Sequence, residues 1–400
     1  MQATSMMPMP MMPQPMYYAP AGMPGYYPPN APGFEQAQQE DEEEVEANPN
    51  ASFVFAVIKT LWYINDFRDD IIDAPTQRRA NASDEKALRI LKRDFLQLEV
   101  GSNEYYDPNA LCVALSNFGL FDIAKSGPSA LYSLMLKTFH RGLRPLDAPS
   151  RKDGSAARDW LDAMDGYRSV VHANFGQDVI ESTICSGCSK CETKHYTQFI
   201  TKLPTSRKIS EGEVLPFAEM LDILKGVDAV CESCGEVART TKSIRCANDQ
   251  PPEVFTFAVT WGSTFLDPDV IQSAMDSIPH TLSLSDISPV SGDCENEEYQ
   301  LKAVICSRGD YEYLTLIKAE MGEDRWLIEC EENRTMIPTP WQRAATLCKH
   351  GQTAPKLLIF QRRRAEDEEE SSHMGESFSQ SQTDEIILDI IDTHNYKYSS

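Results

Sequence analysis

The sequence has few basic residues and no long apolar run. Its 400 residues hold 37 lysines and arginines against 61 acidic residues, and the formal net charge at pH 7 is -24. Proteins that bind DNA or RNA need a basic surface, so this shortage argues against a nucleic acid partner. No stretch of about eighteen apolar residues, the length that crosses a bilayer, is present. We therefore expect no membrane span.

The beginning of the chain also lacks the features of a secretory signal. Residues 1–32 are rich in Met, Pro and Tyr, but they contain neither a basic start nor an aliphatic core. The eleven cysteines of a chain without such a signal are expected to be mostly reduced. These features predict a cytoplasmic or nuclear location.

Composition divides the chain into two tails and a central domain. Residues 1–47 are Met/Pro/Tyr-rich and then acidic, residues 364–400 are acidic and Ser-rich, and both tails are predicted to be disordered. Residues 1–46 hold seven acids and no base, whereas residues 366–400 hold ten acids and one base. The tails thus carry most of the net negative charge, and residues 48–363 are predicted to form the folded domain.

The first third of this domain is predicted to be helical. Residues 53–62 are apolar almost all round, which is typical of a helix buried inside a domain, and Asn50 is a suitable N-cap. A second helix is predicted over residues 83–98 with Ser83 as N-cap. Prolines open two more helices at Pro108 and Pro128, since proline is favoured at the first helical position.

From Phe175 onward, β-branched and aromatic residues alternate with polar ones. This pattern predicts strands over residues 253–261, 301–305, 311–318 and 356–360. Helices first and strands afterwards, rather than alternating β and α units, predict an α+β fold.

Two cysteine pairs carry the clearest chemistry of the sequence. Cys185 and Cys188 form one Cys-x-x-Cys motif, and Cys231 and Cys234 form another. Each motif can form a hook, a turn that carries two cysteines. Two such hooks can place four thiolates tetrahedrally around one Zn2+, and the polar strand-like residues between them suit a zinc ribbon. Unliganded surface thiols are the alternative. Cys191 makes a competing Cys-x-x-Cys with Cys188, so the sulfur that completes the first hook stays open.

The other cysteines and most histidines receive a structural interpretation. Thiols set among apolar or ordinary residues are expected to pack in the interior: Cys112, Cys246, Cys294, Cys306 and Cys348. Structural or surface roles are expected for His172, His195 and His280, although His195 lies near enough to the first hook to be a minor candidate zinc ligand.

Together these features resemble the ubiquitin-specific proteases. The segment from Asn50 to Phe53, with Trp62 following, is similar to the opening box and helix of that family. Phe175 and Gly176 precede the first hook as in the family, and the strand after Pro252 is similar to the family's strand beyond the second hook.

The resemblance spans about residues 48–363 and implies a papain-like α+β fold. It implies a helical thumb at about 48–165, zinc-ribbon fingers at about 175–250 and a β-rich palm at about 251–363. The cofactor implied is one structural Zn2+, and the partners implied are ubiquitin or other proteins.

The same resemblance puts an unsuited residue at every catalytic position. Ser52 stands where the nucleophilic cysteine is expected, Asp310 replaces the palm histidine, and Cys330 and Glu331 fall where an Asp or Asn orients that histidine. Ala47 falls at the oxyanion-hole asparagine. A serine nucleophile needs a positioned general base, and an ordinary carboxylate is a poor base for an alcohol.

The resemblance also implies a Gln-x-Asp-Ala-x-Glu-Phe box on a thumb helix, and the two acidic positions of this box fall on Ser129 and Tyr132. The sequence therefore predicts a pseudoenzyme, a non-catalytic member of the inactive branch of the family that acts as a protein-binding scaffold. One alternative is an atypical active deubiquitinase or hydrolase that uses Ser52 or Cys330. Another is a protease-like scaffold subunit of an RNA-decay assembly.

The C-terminal tail contains a short apolar cluster set in acids. Its apolar members are Ile386, Ile387, Leu388, Ile390 and Ile391. The composition suits a strand that adds to the sheet edge of a partner, and it resembles a motif that binds the small ubiquitin-like modifier. A docking helix and a patch without a role are the alternatives.

Overall fold

The computed structural model describes residues 51–76, 82–99, 108–116, 127–143, 169–203, 215–245, 251–261, 266–291, 297–309, 312–319, 324–330 and 335–364. Both tails lie outside these ranges, apart from Arg364, so their predicted disorder and the predicted domain boundaries stay predictions.

The described part of the first third is helical, as the sequence predicted. Its helices are α1 (Ala51–Trp62), α2 (Asn65–Asp73), α3 (Ala82–Glu99), α4 (Pro108–Ser116) and α5 (Pro128–Gly142). The helices predicted to begin at Pro108 and Pro128 do so. The N-cap prediction for Ser83 is wrong, because α3 begins at Ala82 and Ser83 lies within its first turn. Asn50 lies outside the described residues.

Helix α1 is buried almost all round because nearly every side chain in it is apolar. Its buried residues include Phe53, Val57, Ile58 and Leu61, and even Lys59 is only 8% exposed. The ammonium group of Lys59 lies 5.4 Å from the ring centroid of Phe55, so the aliphatic stem is buried while the charge faces an aromatic ring. Helix α1 is therefore buried inside the domain, as predicted.

Short helices also occur in the second part of the chain, where the sequence indicated only strands. They are α6 (Val170–Phe175), α7 (Phe217–Lys225), α8 (Pro268–Ser277), α9 (Leu284–Ile287) and α10 (Trp341–His350). Each has ten residues or fewer, so it offers few turns over which a helical period can be recognised. Among the described helices, none is both long enough and apolar enough to cross a membrane.

The strands form two sheets. The ribbon sheet has the order β2 (Cys191–Gln198), β1 (Gln177–Cys185), β5 (Val237–Arg245), β4 (Gly226–Val230), and β8 (Val290–Ser291) also pairs with β5. The palm sheet runs β12 (Thr335–Thr339), β11 (Trp326–Cys330), β10 (Glu312–Lys318), β9 (Glu298–Arg308), β13 (Ala354–Arg362), β6 (Val254–Val259), β3 (Thr201–Leu203), and β7 (Thr281–Ser283) pairs with β9. The four predicted strand segments correspond to β6, β9, β10 and β13.

The palm sheet is buried on both faces, which explains why all six residues of β6 are buried and all but Thr256 are apolar. Successive side chains of a strand point to opposite faces. Val254 and Ala258 accordingly join the core formed with the thumb helices, whereas Phe255 and Phe257 join the second core with α7, α8 and α10. Helices α7, α8 and α10, which sequence reasoning missed, thus cover the face of the palm opposite the thumb.

Candidate metal centre and the degenerate catalytic positions

The two cysteine hooks lie at the far end of the ribbon sheet, where β1 leads to β2 and β4 leads to β5. In the first hook Cys185 N–H donates to Lys190 O at 3.0 Å, and Ser189 N–H donates to Cys185 O at 3.1 Å. In the second hook Cys231 N–H donates to Glu236 O at 2.8 Å, and Gly235 N–H donates to Cys231 O at 2.9 Å. The two hooks therefore share one turn geometry.

This turn requires a left-handed residue directly after the second cysteine of each hook. Gly235 takes φ of 79° in the second hook, and Ser189 takes φ of 53° in the first. Glycine adopts this conformation without a steric penalty, whereas a residue with a Cβ pays for it. The first hook, with Ser189 in this conformation, therefore carries backbone strain that the second hook, with Gly235, does not.

The four sulfurs converge on one point. Cys185 Sγ lies 3.4 Å from Cys234 Sγ, and Cys188 Sγ lies 3.8 Å from Cys231 Sγ. All four sulfurs lie within 4.8 Å of one another. Zn–S bonds of about 2.3 Å in a tetrahedron separate sulfurs by about 3.8 Å, so these spacings fit a four-thiolate site. The cysteine set can hold one metal ion, and a tetrahedral group of thiolates favours Zn2+.

The backbone around the hooks favours thiolate at the cysteine that opens each of them. The N–H of Cys188 lowers the pKa of Cys185, and the N–H groups of Ser233 and Cys234 lower the pKa of Cys231 to about 6. At Cys234 the N–H of Glu236 acts in the same direction, but the surrounding sulfurs raise its pKa to about 12. Four thiolates so close together repel one another, and a bound cation removes that repulsion.

The sheet register decides between the two versions of the first hook. Cys191 pairs with Ile184, the neighbour of Cys185, so Cys185 and Cys191 point to opposite faces of the ribbon. Cys191 is exposed and lies outside the sulfur group. His195, which pairs with Ile180 on the same face as Cys191, lies outside the group as well. The geometry thus brings together Cys185, Cys188, Cys231 and Cys234.

The turn geometry predicts opposite effects of substitution in the two hooks. Gly235→Ala should destabilise the ribbon by about 1 kcal/mol, because alanine must take the left-handed conformation, whereas Ser189→Gly should stabilise it by up to a similar amount. Competition for metal against a calibrated chelator would measure both changes in the same buffer. Equal effects of the two substitutions would contradict the strain argument.

The residues around the catalytic positions expected from the resemblance come together at one end of the palm sheet. Ser52 is the second residue of α1, and its neighbour Phe53 packs against Tyr313 of β10 with ring centroids 5.0 Å apart. Gly309, with φ of 60°, follows β9 and begins the connection to β10. The last residue of β9, Arg308, pairs with the first residue of β10, Glu312. Strand β11 is antiparallel to β10, so its last residue lies at the same end of the sheet.

Asp310, Glu331 and Ala47 lie outside the described residues, and of Cys330 only the backbone, at the end of β11, is described. The described surroundings nevertheless bring the start of α1 beside the beginning of β10, where the resemblance requires nucleophile and base to meet.

The described histidines all lie in other surroundings. His140 and His172 pack against each other and against Phe199, with ring centroids 5.7 to 6.4 Å apart. His280 packs against Trp326 and Trp341. His195 belongs to the ribbon and His350 ends α10, both exposed. Within the described ranges, no hydrogen bond or ring contact joins a histidine to Ser52.

One serine–histidine pair was missed by sequence reasoning. His140 Nδ1 lies 2.7 Å from Ser169 Oγ, and the same hydroxyl accepts from His172 N–H as the N-cap of α6. Ser169 is fully buried, and burial is the main cause that lowers the pKa of His140 to about 4, with His172 and Arg141 adding to it. A hydroxyl without solvent access has no route to a substrate, so the pair is structural. The sequence signal was a serine directly before a short helix.

The thumb position that is acidic in the resemblance is filled by a buried aromatic side chain. Tyr132 of α5 is fully buried, and its hydroxyl lies 3.0 Å from Thr256 Oγ1 of β6. Burial raises the pKa of this hydroxyl, so it stays neutral. The contact ties the thumb to the centre of the palm and offers no negative charge to a ligand. Ser129, the other such position, lies in the first turn of α5.

The helical thumb, the two-faced palm sheet and the ribbon with its four converging cysteines define an α+β protein with the architecture of a ubiquitin-specific protease. The family profile described as ubiquitin carboxyl-terminal hydrolase matches residues 44–394. The chain therefore belongs to the ubiquitin carboxyl-terminal hydrolase family.

Comparison with solved structures agrees with this fold. Of the solved chains, 230 match. One of them, from the Ubp8/Sgf11/Sus1/Sgf73 DUB module of SAGA, has a TM-score of 0.54 and 14% sequence identity, and the match covers 84% of this chain and 72% of that chain. At such low identity the likeness establishes the fold alone. No curated protein sequence matches the chain.

Proposed function

We propose that this chain is a catalytically inactive member of its family and acts as a protein-binding scaffold. One observation carries the proposal. The position of the nucleophile holds Ser52, and no described histidine makes a hydrogen bond or ring contact with it: three pack against other aromatic rings, and the other two are exposed on the ribbon and at the end of α10. Without a base beside it, a serine hydroxyl at neutral pH is too weak a nucleophile to attack an amide.

The buried Tyr132 supports the same proposal. Its hydroxyl bonds to Thr256 inside the protein, so this part of the thumb presents no carboxylate to a basic peptide. A substitution confined to the nucleophile position would be compatible with an enzyme that was altered to trap its substrate. Here the nucleophile position and an acidic position of the thumb box both differ from the family's pattern, which favours a scaffold over an enzyme.

A folded ribbon suits a scaffold because it positions a large exposed surface without chemistry. We propose that one structural Zn2+ is held by Cys185, Cys188, Cys231 and Cys234, whose sulfurs all lie within 4.8 Å of one another. The Ubp8 chain with the similar fold belongs to a module with other protein subunits. By analogy, we propose protein partners for this chain, ubiquitin among them, in the cytoplasm or nucleus.

Labelling by ubiquitin carrying a C-terminal electrophile tests this function. The unmodified protein should remain unlabelled and should leave di-ubiquitin intact. Ser52→Cys should become slowly labelled wherever ubiquitin still docks, because a thiol reacts with the electrophile even without a strong base. Restoring one member of a catalytic set should recover almost no turnover, since its members act as a unit.

Ser52→Ala is the matched control for this experiment, because it removes the hydroxyl and introduces no thiol. Turnover of di-ubiquitin by the unmodified protein, abolished in Ser52→Ala, would establish an active hydrolase and overturn the proposal. Turnover that persists in Ser52→Ala but is lost in Cys330→Ser would assign the activity to Cys330 and overturn it equally.

A further inference from the structure

The ribbon sheet exposes an unusual share of apolar side chains. Six large apolar residues are conspicuously exposed in the described part of the chain, and four of them belong to the ribbon: Ile184, Val227, Val230 and Val237. Val230, on β4, is the most exposed of these at 74%. Contiguous exposed apolar residues are a feature of interaction surfaces.

Strand β4 is also a sheet edge with little of the usual protection. It pairs with β5 and with no other described strand, it contains neither proline nor lysine, and Asp228 is its single charged residue. The other described edges are more strongly blunted: β2 carries both Glu192 and Lys194, β12 contains Pro338, and β3, β7 and β8 have three residues or fewer. Natural proteins protect sheet edges in such ways, because an open edge accepts a further strand.

The hydrogen-bond alternation shows which backbone groups of β4 point outward. Cys231 N–H donates to Glu236 O toward β5, and Val237 O accepts from Ser186 N–H toward β1. Paired residues of antiparallel strands alternate between hydrogen-bonded and non-hydrogen-bonded pairs. The pairs of Val230 with Val237 and of Asp228 with Arg239 are therefore non-hydrogen-bonded. The N–H and C=O groups of Asp228 and Val230 thus face the open edge.

The side chain of an arginine lies beside this edge. The guanidinium group of Arg239 reaches over Gly226, where an added Cβ would lie 3.1 Å from Nη2. Among the described residues Arg239 makes no hydrogen bond and no ion pair, although it stands opposite Asp228 in the register. An incoming strand that carries an acid between apolar residues would meet both the valines and this guanidinium.

We propose that β4 accepts the chain's own segment 386–391 as an added strand. The segment reads Ile-Ile-Leu-Asp-Ile-Ile, which as a strand has apolar residues on both faces and carries one acid, Asp389, opposite in charge to Arg239. Both faces of β4 carry an exposed valine, Val227 on one and Val230 on the other. The apolar character of the segment on both sides therefore matches that of the edge.

The length of the connection permits this pairing. Twenty-two residue steps separate Arg364, the last described residue, from Ile386. Such a connection spans up to about 70 Å when extended. A compact domain of this size has a diameter of about 50 Å. An occupied edge would withhold the segment from other proteins, and a partner that binds the segment would open the edge.

Hydrogen exchange on the full chain tests the proposal. Amides of residues 226–230 and 386–391 should exchange about tenfold or more slowly than in Asp228→Pro, which removes one outward N–H but no ladder bond to β5. Asp228→Ala is the matched control: it changes the same side chain but keeps the N–H, and it should keep the protection. Random-coil exchange of 386–391 in the unmodified chain would overturn the proposal.

A charge exchange provides an independent test. Arg239→Glu and Asp389→Arg should each reduce the protection of 386–391, and the double variant should restore it. Protection that is indifferent to both charges and to Asp228→Pro would place the segment elsewhere and contradict the proposal. Protection that disappears on dilution would show strand exchange between copies and would overturn the intramolecular pairing.

Discussion

Cys231→Ser is expected to release the metal and unfold the ribbon, while the thumb and palm remain folded. Structural zinc supplies on the order of 10 kcal/mol of apparent folding free energy in zinc-finger peptides at neutral pH. Among the described residues, the hook end of the ribbon has little else to hold it, because the buried cluster there consists of Cys185, Cys231 and Ala238. Metal analysis should find about one zinc per unmodified chain and much less in the variant.

Cys191→Ser is the matched control, since it removes a ribbon cysteine whose sulfur lies outside the group of four. It should leave the zinc content and the exchange rates of residues 177–198 and 226–245 unchanged. Loss of zinc in Cys191→Ser, or a metal-free unmodified protein with a fully protected ribbon, would contradict the four-cysteine assignment.

The second large expected effect is a loss of folding stability in acid that is caused by the buried His140. Burial, followed by His172 and Arg141, lowers the pKa of His140 to about 4 from an ordinary value of 6.5. Between these two pH values the unfolded chain binds the proton and the folded chain does not, so stability is complete above pH 6.5 and declines as the pH falls toward 4. The decline attributable to His140 should reach about 3 kcal/mol.

Urea unfolding at a series of pH values measures this contribution. Acid also releases zinc from its thiolate ligands, so the informative quantity is the difference between the unmodified chain and His140→Gln at each pH. That difference should fall by about 3 kcal/mol from pH 7 to pH 4. The exposed His350 offers a control in His350→Gln, which should follow the unmodified curve. Parallel curves for the chain and His140→Gln would refute the assignment.

The parts of the fold that sequence reasoning found are those in which a single residue type determines local structure. Prolines mark the starts of α4 and α5, and the apolar run of α1 requires burial on all sides. The helices α7, α8 and α10 were not predicted, because each buries only a few side chains on one face. Their helical form depends on packing against the palm sheet, which a local pattern does not reveal.

The metal centre was predictable as a set of cysteines but not as a choice among them. Spacing alone permits either Cys185 or Cys191 to pair with Cys188, and the strand register, a property of two strands together, separates them. The contact between His140 and Ser169 could not be predicted from the sequence for a related reason. Ser169 follows α5 by a long interval in the sequence, so only the folded chain brings its hydroxyl to the imidazole.

The contact between Tyr132 and Thr256 has a consequence for substitutions at position 132. A carboxylate introduced at position 132 would lie where a tyrosine is fully buried, and an unpaired buried charge costs several kcal/mol. An acidic residue placed at this position by one substitution is therefore expected to destabilise the packing between thumb and palm rather than to present a charge to a ligand. The seam between thumb and palm thus limits which side chains position 132 can accept.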